Sequence, residues 1–92
     1  MSTEGRIERL RTALERQLAP VGLAIRDDSA AHAGHPGARA GGHFRVEIVS
    51  ERFRGRSPLE RHRLVYAAVG ELIGSDIHAL NIVARTPEEL TS

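Results

Sequence analysis

Ninety-two residues allow one domain and one modest hydrophobic core, and apolar and charged shares of 40% and 27% exclude wholesale disorder. Thirteen basic residues, all arginine, stand against twelve acidic ones, and the net charge of +1 points neither towards nucleic acid nor away from it. There is no cysteine, so the chain forms no disulfide and offers no thiolate to a metal; its polar start and lack of long apolar runs predict a cytoplasmic protein with no secretory leader or membrane span.

Ile7, Leu10, Leu14 and Leu18 recur at spacings of three and four, which predicts a helix over residues 3–19 with one apolar stripe. Pro20 and Gly22 stop it. Leu23 and Ile25 then alternate with Ala24 and Arg26, predicting a short strand that ends near Asp28. Residues 29–42 hold four Gly, five Ala and one Pro but no large apolar side chain, the composition of a flexible, exposed loop. Loops of this length inside a compact domain are often functional. The clearest strand follows, with Phe44, Val46 and Ile48 facing one way and His43, Arg45 and Glu47 the other. Because the loop returns the chain, the two strands are predicted to pair antiparallel.

Phe53-Arg-Gly-Arg predicts a turn before a strong helix start. Ser57-Pro-Leu-Glu60 is a capping box with Pro at the first helical position: the serine oxygen takes a free backbone amide and Glu60 reaches back. This helix is predicted to run to about residue 73, burying Leu59, His62, Val65, Tyr66, Val69, Leu72 and Ile73, and to close at Gly74. A strand over 77–84 and a short turn over 86–92 complete the order α-β-β-α-β. A helix between the second and third strands implies a right-handed crossover and parallel pairing. The expected fold is thus one small α/β (α+β) domain over residues 1–92, its helices covering one face of a three-stranded mixed sheet.

Chemistry-bearing side chains are few. His78 opens the last strand, and its parity with Leu80 and Ile82 puts it at the rim of the covered face; residue type leaves it either a packed, hydrogen-bonded side chain or a ligand. His32 and His35 form His-Ala-Gly-His in the loop, equally readable as two solvated residues or as a weak pair of metal donors. His43 is expected to be exposed or to anchor the loop, and His62 to be buried and structural. Arg52, Arg54, Arg56, Arg61 and Arg63 surround one acid, Glu60, around a glycine turn and a helix start, where phosphate could be held. Gly55 stands alone rather than in a G-x-x-G clamp, and no aromatic is expected on an exposed face to stack a base. There is no cysteine nucleophile or G-x-S-x-G elbow, Ser57 is used by its cap, and Asp27 and Asp28 point apart as strand neighbours, so no catalysis is expected.

The words Phe53-Arg-Gly-Arg-Ser57, Arg61-His-Arg-Leu-Val-Tyr66, His78-Ala-Leu80 and Thr86-Pro-Glu-Glu89, after the His43–Ser50 strand, resemble the BolA family. The likeness spans residues 21–89, about three-quarters of the chain. It implies a fold related to the type II KH arrangement and a heterodimer with a monothiol glutaredoxin of the C-G-F-S class, in iron–sulfur cluster trafficking or iron sensing. In that family the His of H-A-L binds the cluster iron, which here is His78. The second ligand comes from the loop and is His or Cys; His32, after Ser29-Ala-Ala, matches it best, with His35 as the other candidate.

Imidazole in place of thiolate raises the potential of a [2Fe–2S] cluster, as in Rieske centres. A chain with histidines and no cysteine cannot hold such a cluster alone, so a glutaredoxin cysteine and glutathione would supply the remaining thiolates and the isolated chain would carry no cofactor. Some family members are described as transcriptional regulators. The alternative expectation is therefore a KH-like nucleic-acid-binding regulator that meets DNA through the Arg52 to Arg63 surface. No small-molecule substrate is expected.

Overall fold

A computed structural model describes residues 3–28, 42–74 and 77–91. Helix α1, Thr3–Leu18, is followed by antiparallel strands β1, Gly22–Asp27, and β2, Gly42–Val49. A 3-10 turn, Glu51–Phe53, leads into α2, Pro58–Ala68; a second, Gly70–Leu72, leads to β3, Ile77–Arg85, and α3, Pro87–Thr91, ends the description. The sheet order is β1-β2-β3, with β3 parallel to β2, the mixed three-stranded α+β arrangement expected from the order of elements.

Local chemistry sets the boundaries. Ala19 adopts a left-handed φ of 43° and donates to the Glu15 carbonyl at 3.2 Å, and Pro20 then cannot continue α1. The capping box of α2 is present in both halves, Glu60 N to Ser57 Oγ at 3.1 Å and Ser57 N to Glu60 Oε1 at 2.8 Å. The α-helix ends at Ala68 rather than near residue 73: Gly70, which weakens a helix interior by about 1 kcal/mol, opens the 3-10 turn, and Gly74 closes it at φ 93°.

The core is a layer of aliphatic side chains between the helices and one face of the sheet. Leu10, Leu14 and Leu18 of α1 meet Phe44, Val46 and Ile48 of β2, with Phe53, Val65, Val69, Ile77 and Ile82 completing it. On α2 the buried stripe is turned from the expected one. Leu64, Val65, Ala68 and Val69 face the sheet, while Leu59, His62 and Tyr66 are exposed, as is Ile73 beyond the helix. Several faces of this helix satisfy an apolar spacing, and the one chosen lets Arg61 tuck under α3 and reach the Ala84 carbonyl at 3.1 Å. His62 is therefore not the buried structural residue expected.

One polar group crosses the core boundary. The Ser50 hydroxyl is fully buried, donates to the Leu18 carbonyl at 2.6 Å and accepts from the Arg52 amide at 3.1 Å, tying the end of α1 to the end of β2. Ser50→Ala strips these groups of their partner and is expected to cost about 1–3 kcal/mol. A urea unfolding curve checks this: its midpoint falls while its slope stays that of the wild type.

Candidate functional site

Strand pairing gathers the chain at one end of the sheet. There β1 finishes, the Asp28 amide donating to the His43 carbonyl at 2.7 Å, and Gly42 of β2 pairs with Ile77 of β3. His43 thus anchors the loop base through its backbone. Residues 29–41, with His32 and His35, lie outside the described residues; of the two points from which that segment departs, Gly42 pairs with Ile77 at the start of β3, and Asp28 lies one strand away, at the same end of the sheet.

His78 occupies an irregular step at this end. The register moves from Gly42↔Ile77 to His43↔Ala79, one residue along β2 for two along β3, with His78 between. Such bulges re-aim side chains and occur beside functional sites; in parallel pairing they are rare. The step breaks the parity on which the rim position of His78 was expected: Ile77 is buried in the core, and so are the even-numbered Leu80 and Ile82 in whole or part. Alternation along β3 therefore holds only from Ala79 onward. Among the described residues no three His, Cys, Asp or Glu side chains gather as a metal site.

The five arginines divide into two sets. Arg61 clasps Glu89 with both ends of its fork, at 2.7 and 3.2 Å, and also donates to the carbonyls of Arg56 and Ala84. Arg54 donates through Nε to Glu51 at 2.9 Å and pairs with Glu88. The guanidiniums of Arg52, Arg56 and Arg63 are in exposed residues and form no ion pair among the described residues. The local excess of positive charge seen in the sequence is thus reduced by α3, whose acids are distant in sequence and adjacent in space. Tyr66, expected in the core, is 40% exposed and donates its hydroxyl to the Leu80 carbonyl at 3.4 Å, so an aromatic does stand on the surface, one turn of α2 from Arg63.

A groove of about 520 Å³ runs between α1 and α2 and offers Thr12, Gln17 and the charged rim of Glu8, Arg9, Arg16 and Glu71. No histidine or cysteine lines it, and it shares no residue with the end of the sheet that carries His78. No described helix is long and apolar enough to cross a membrane.

Among the described carboxylates Glu89 is shifted most, held from its ordinary 4.5 down to about 2, first by Arg61 and then by the Thr86 amide that donates to it at 2.7 Å. Glu88 is lowered by Arg54. Glu89 is exposed, so screening limits what the pair contributes. Because its folded value is depressed, that contribution is complete above the ordinary carboxylate range and is lost as pH falls through about 2. Thermal melts should show the wild type losing more stability than Glu89→Gln as pH drops through that window, the two curves converging at its acid end.

The sequence matches the family model described as BolA-like protein over residues 14–89. It is 52% identical to human BolA-like protein 1 across 87% of this chain, spanning 57% of that protein; the chain covers little more than half the length of such relatives. It is 35% identical to the DNA-binding transcriptional regulator BolA of Escherichia coli, over 89% of this chain and 76% of that one. Among solved structures, the BolA domain of SufE1 from Arabidopsis thaliana matches with a TM-score of 0.80 at 44% identity, covering 97% of this chain and 98% of that one. The corresponding whole protein carries the name SufE-like protein 1, chloroplastic/mitochondrial, and this chain spans 24% of it.

Proposed function

Since this chain belongs to the BolA family, we propose that it is a non-enzymatic partner of a monothiol glutaredoxin, with which it shares a [2Fe–2S] cluster through histidine in trafficking or iron sensing. The observation that carries the reading is that His78, at the irregular step of β3, lies at the end of the sheet from which the segment holding His32 and His35 departs, next to its Gly42 root. His32 is four residues from Asp28, a span of at most about 14 Å of extended chain, and His35 is seven residues from either root, at most about 25 Å, so chain length permits either histidine to serve as the second ligand. The occurrence of the same domain in a SufE-like protein supports an iron–sulfur setting.

The donor set fits half of a cluster site. A chain with imidazoles and no cysteine supplies neutral nitrogen ligands, and the thiolates come from the glutaredoxin and glutathione. When bound, the cluster supplies one-electron and cluster-transfer chemistry, at a potential raised by nitrogen ligation. This chain's own part is to present His78 from a paired strand, where backbone bonds on both sides of the bulge hold its Cα, and to bring the loop histidine to it. The expected cytoplasmic setting belongs to this proposal; the Arabidopsis relative is named for organelles.

A second reading, a DNA-binding regulator, is favoured by the printed name of the Escherichia coli relative and by Arg52, Arg56 and Arg63, exposed residues that form no ion pair among the described residues. Affinity for duplex DNA that collapses between low and moderate salt without sequence preference would reduce it to counterion release.

The test of the cluster reading is visible absorption and circular dichroism of a cluster-loaded monothiol glutaredoxin titrated with this chain. Wild type should reshape the spectrum up to a one-to-one ratio, His78→Ala should not, and either His32→Ala or His35→Ala should match the His78 variant. Identical spectra for wild type and His78→Ala would overturn histidine ligation.

A further inference from the structure

A hollow of about 270 Å³ opens beside the α1–α2 groove and shares Gln17, Ala67 and Ala68 with it. Leu18, 4% exposed, and Leu64, packed on the core, give it apolar walls. Arg52 and Arg56 line it as well, and among the described residues no acid does. Acids nearby are engaged elsewhere: Glu51 accepts from Arg54 at 2.9 Å, and Glu60, charged and close to Arg56, is held by the Ser57 amide at 2.8 Å. Arg54 and Arg61 in turn pair with Glu88 and Glu89 of α3. That leaves Arg52 and Arg56, which form no ion pair among the described residues, as the charge of the hollow. The groove next to it, by contrast, carries both signs.

Backbone bonds set both walls before any ligand arrives. The Ser50 hydroxyl donates to the Leu18 carbonyl on one side and accepts from the Arg52 amide on the other. Arg56 is held by its amide, which donates to the Phe53 carbonyl at 3.0 Å, and by its own carbonyl, which accepts from Arg61 Nε at 3.0 Å. The Leu18 carbonyl, at the negative end of α1, would repel an anion; Ser50 occupies it. Two cations beside apolar walls repel each other and gain from one anion that joins them. An apolar body on that anion would cover walls that a bare phosphate leaves to water. We propose that this hollow binds a small organic oxyanion, a carboxylate or phosphate monoester with a short apolar body. Arg52 and Arg56 hold the oxyanion through charge-assisted hydrogen bonds, and the body lies on Leu18, Leu64 and Ala68 towards the groove. The hollow adjoins the end of β2 and His78 lies by its start, so the site is independent of the cluster reading.

The test is an amide-resolved NMR titration of the full chain alone, at fixed ionic strength. Its probes are phenyl phosphate, benzoate, inorganic phosphate and benzyl alcohol. Phenyl phosphate or benzoate should shift the amides of Gln17, Arg52, Arg56 and Ala67 saturably, with a Kd below about 5 mM. The tighter of the two identifies the oxyanion that the site takes. The double variant Arg52→Gln, Arg56→Gln should raise that Kd about fivefold or more, and so should Ala67→Phe, which fills the hollow without changing charge. Arg63→Gln, outside the hollow, should stay within about twofold of wild type. Far-UV dichroism checks folding, and the arginine variant decides alone if Ala67→Phe does not fold. Failure of both organic anions to reach half-saturation at that concentration overturns the site, as does unchanged affinity in the arginine variant. Inorganic phosphate binding as tightly as the organic anion overturns it too and assigns the arginines to the nucleic-acid reading. Equal binding of benzyl alcohol overturns it by leaving the charges without a part.

Discussion

Everything at the candidate site depends on β3 lying parallel to β2. An antiparallel hairpin sends its connecting segment out at one end of the pair, and a parallel third strand has to begin at that same end. The chain leaves β2 at the opposite end, so it must travel back along the sheet before starting β3, and α2 with its 3-10 extension makes that journey. A right-handed crossover of this kind needs a helix about as long as the strands it links. Residues that begin β3 are thereby placed at the end of the sheet from which the hairpin segment departs, by topology alone, before any side chain interacts. An antiparallel third strand would have put His78 at the other end of the sheet.

The departure end of β2 is built to hold this arrangement. Ser50 binds the last turn of α1, its amide donates to the Arg85 carbonyl at the end of β3, and Phe53, three residues on, is fully buried beneath the crossover. One short segment therefore fixes the first helix, the end of the third strand and the start of the second helix. Gly55 at φ 74° then turns the chain into the capping box.

Much of this was legible in the sequence, and the failures have separate physical causes. The α1 stripe, the alternation of β2 and the Ser57 cap are local patterns whose period or hydrogen bonds are fixed by a few neighbouring residues, and all three stand in the structure. The buried face of α2 differs from the expected one because Leu59, Tyr66 and Ile73 keep an apolar helical spacing yet stand exposed, and hydropathy does not mark which of two such stripes meets the sheet. Charge around Arg54 and Arg61 was overcounted because Glu88 and Glu89 reach them only through tertiary contact. Parity does not extend to His78, because a bulge inserts one residue there, and alternation carries no mark of an insertion. The histidines of the loop fall outside the described residues, and nothing in their spacing ranks one above the other.

Two bonds from α2 have a meaning beyond packing. β3 is an outer strand of the sheet, and the Arg85 carbonyl points inward to Ser50, so the alternate residues Leu80 and Ala84 turn their carbonyls to the open side. Those two acceptors are taken by the Tyr66 hydroxyl and the Arg61 guanidinium. An outer strand with free acceptors is a template for another chain and a route to aggregation. Here the crossover helix blunts the margin of the strand it delivers, so a further strand cannot add along β3 without first displacing both side chains. The outer margin of β3 is thus guarded at two of its outward carbonyls, one near the middle of the strand and one near its end.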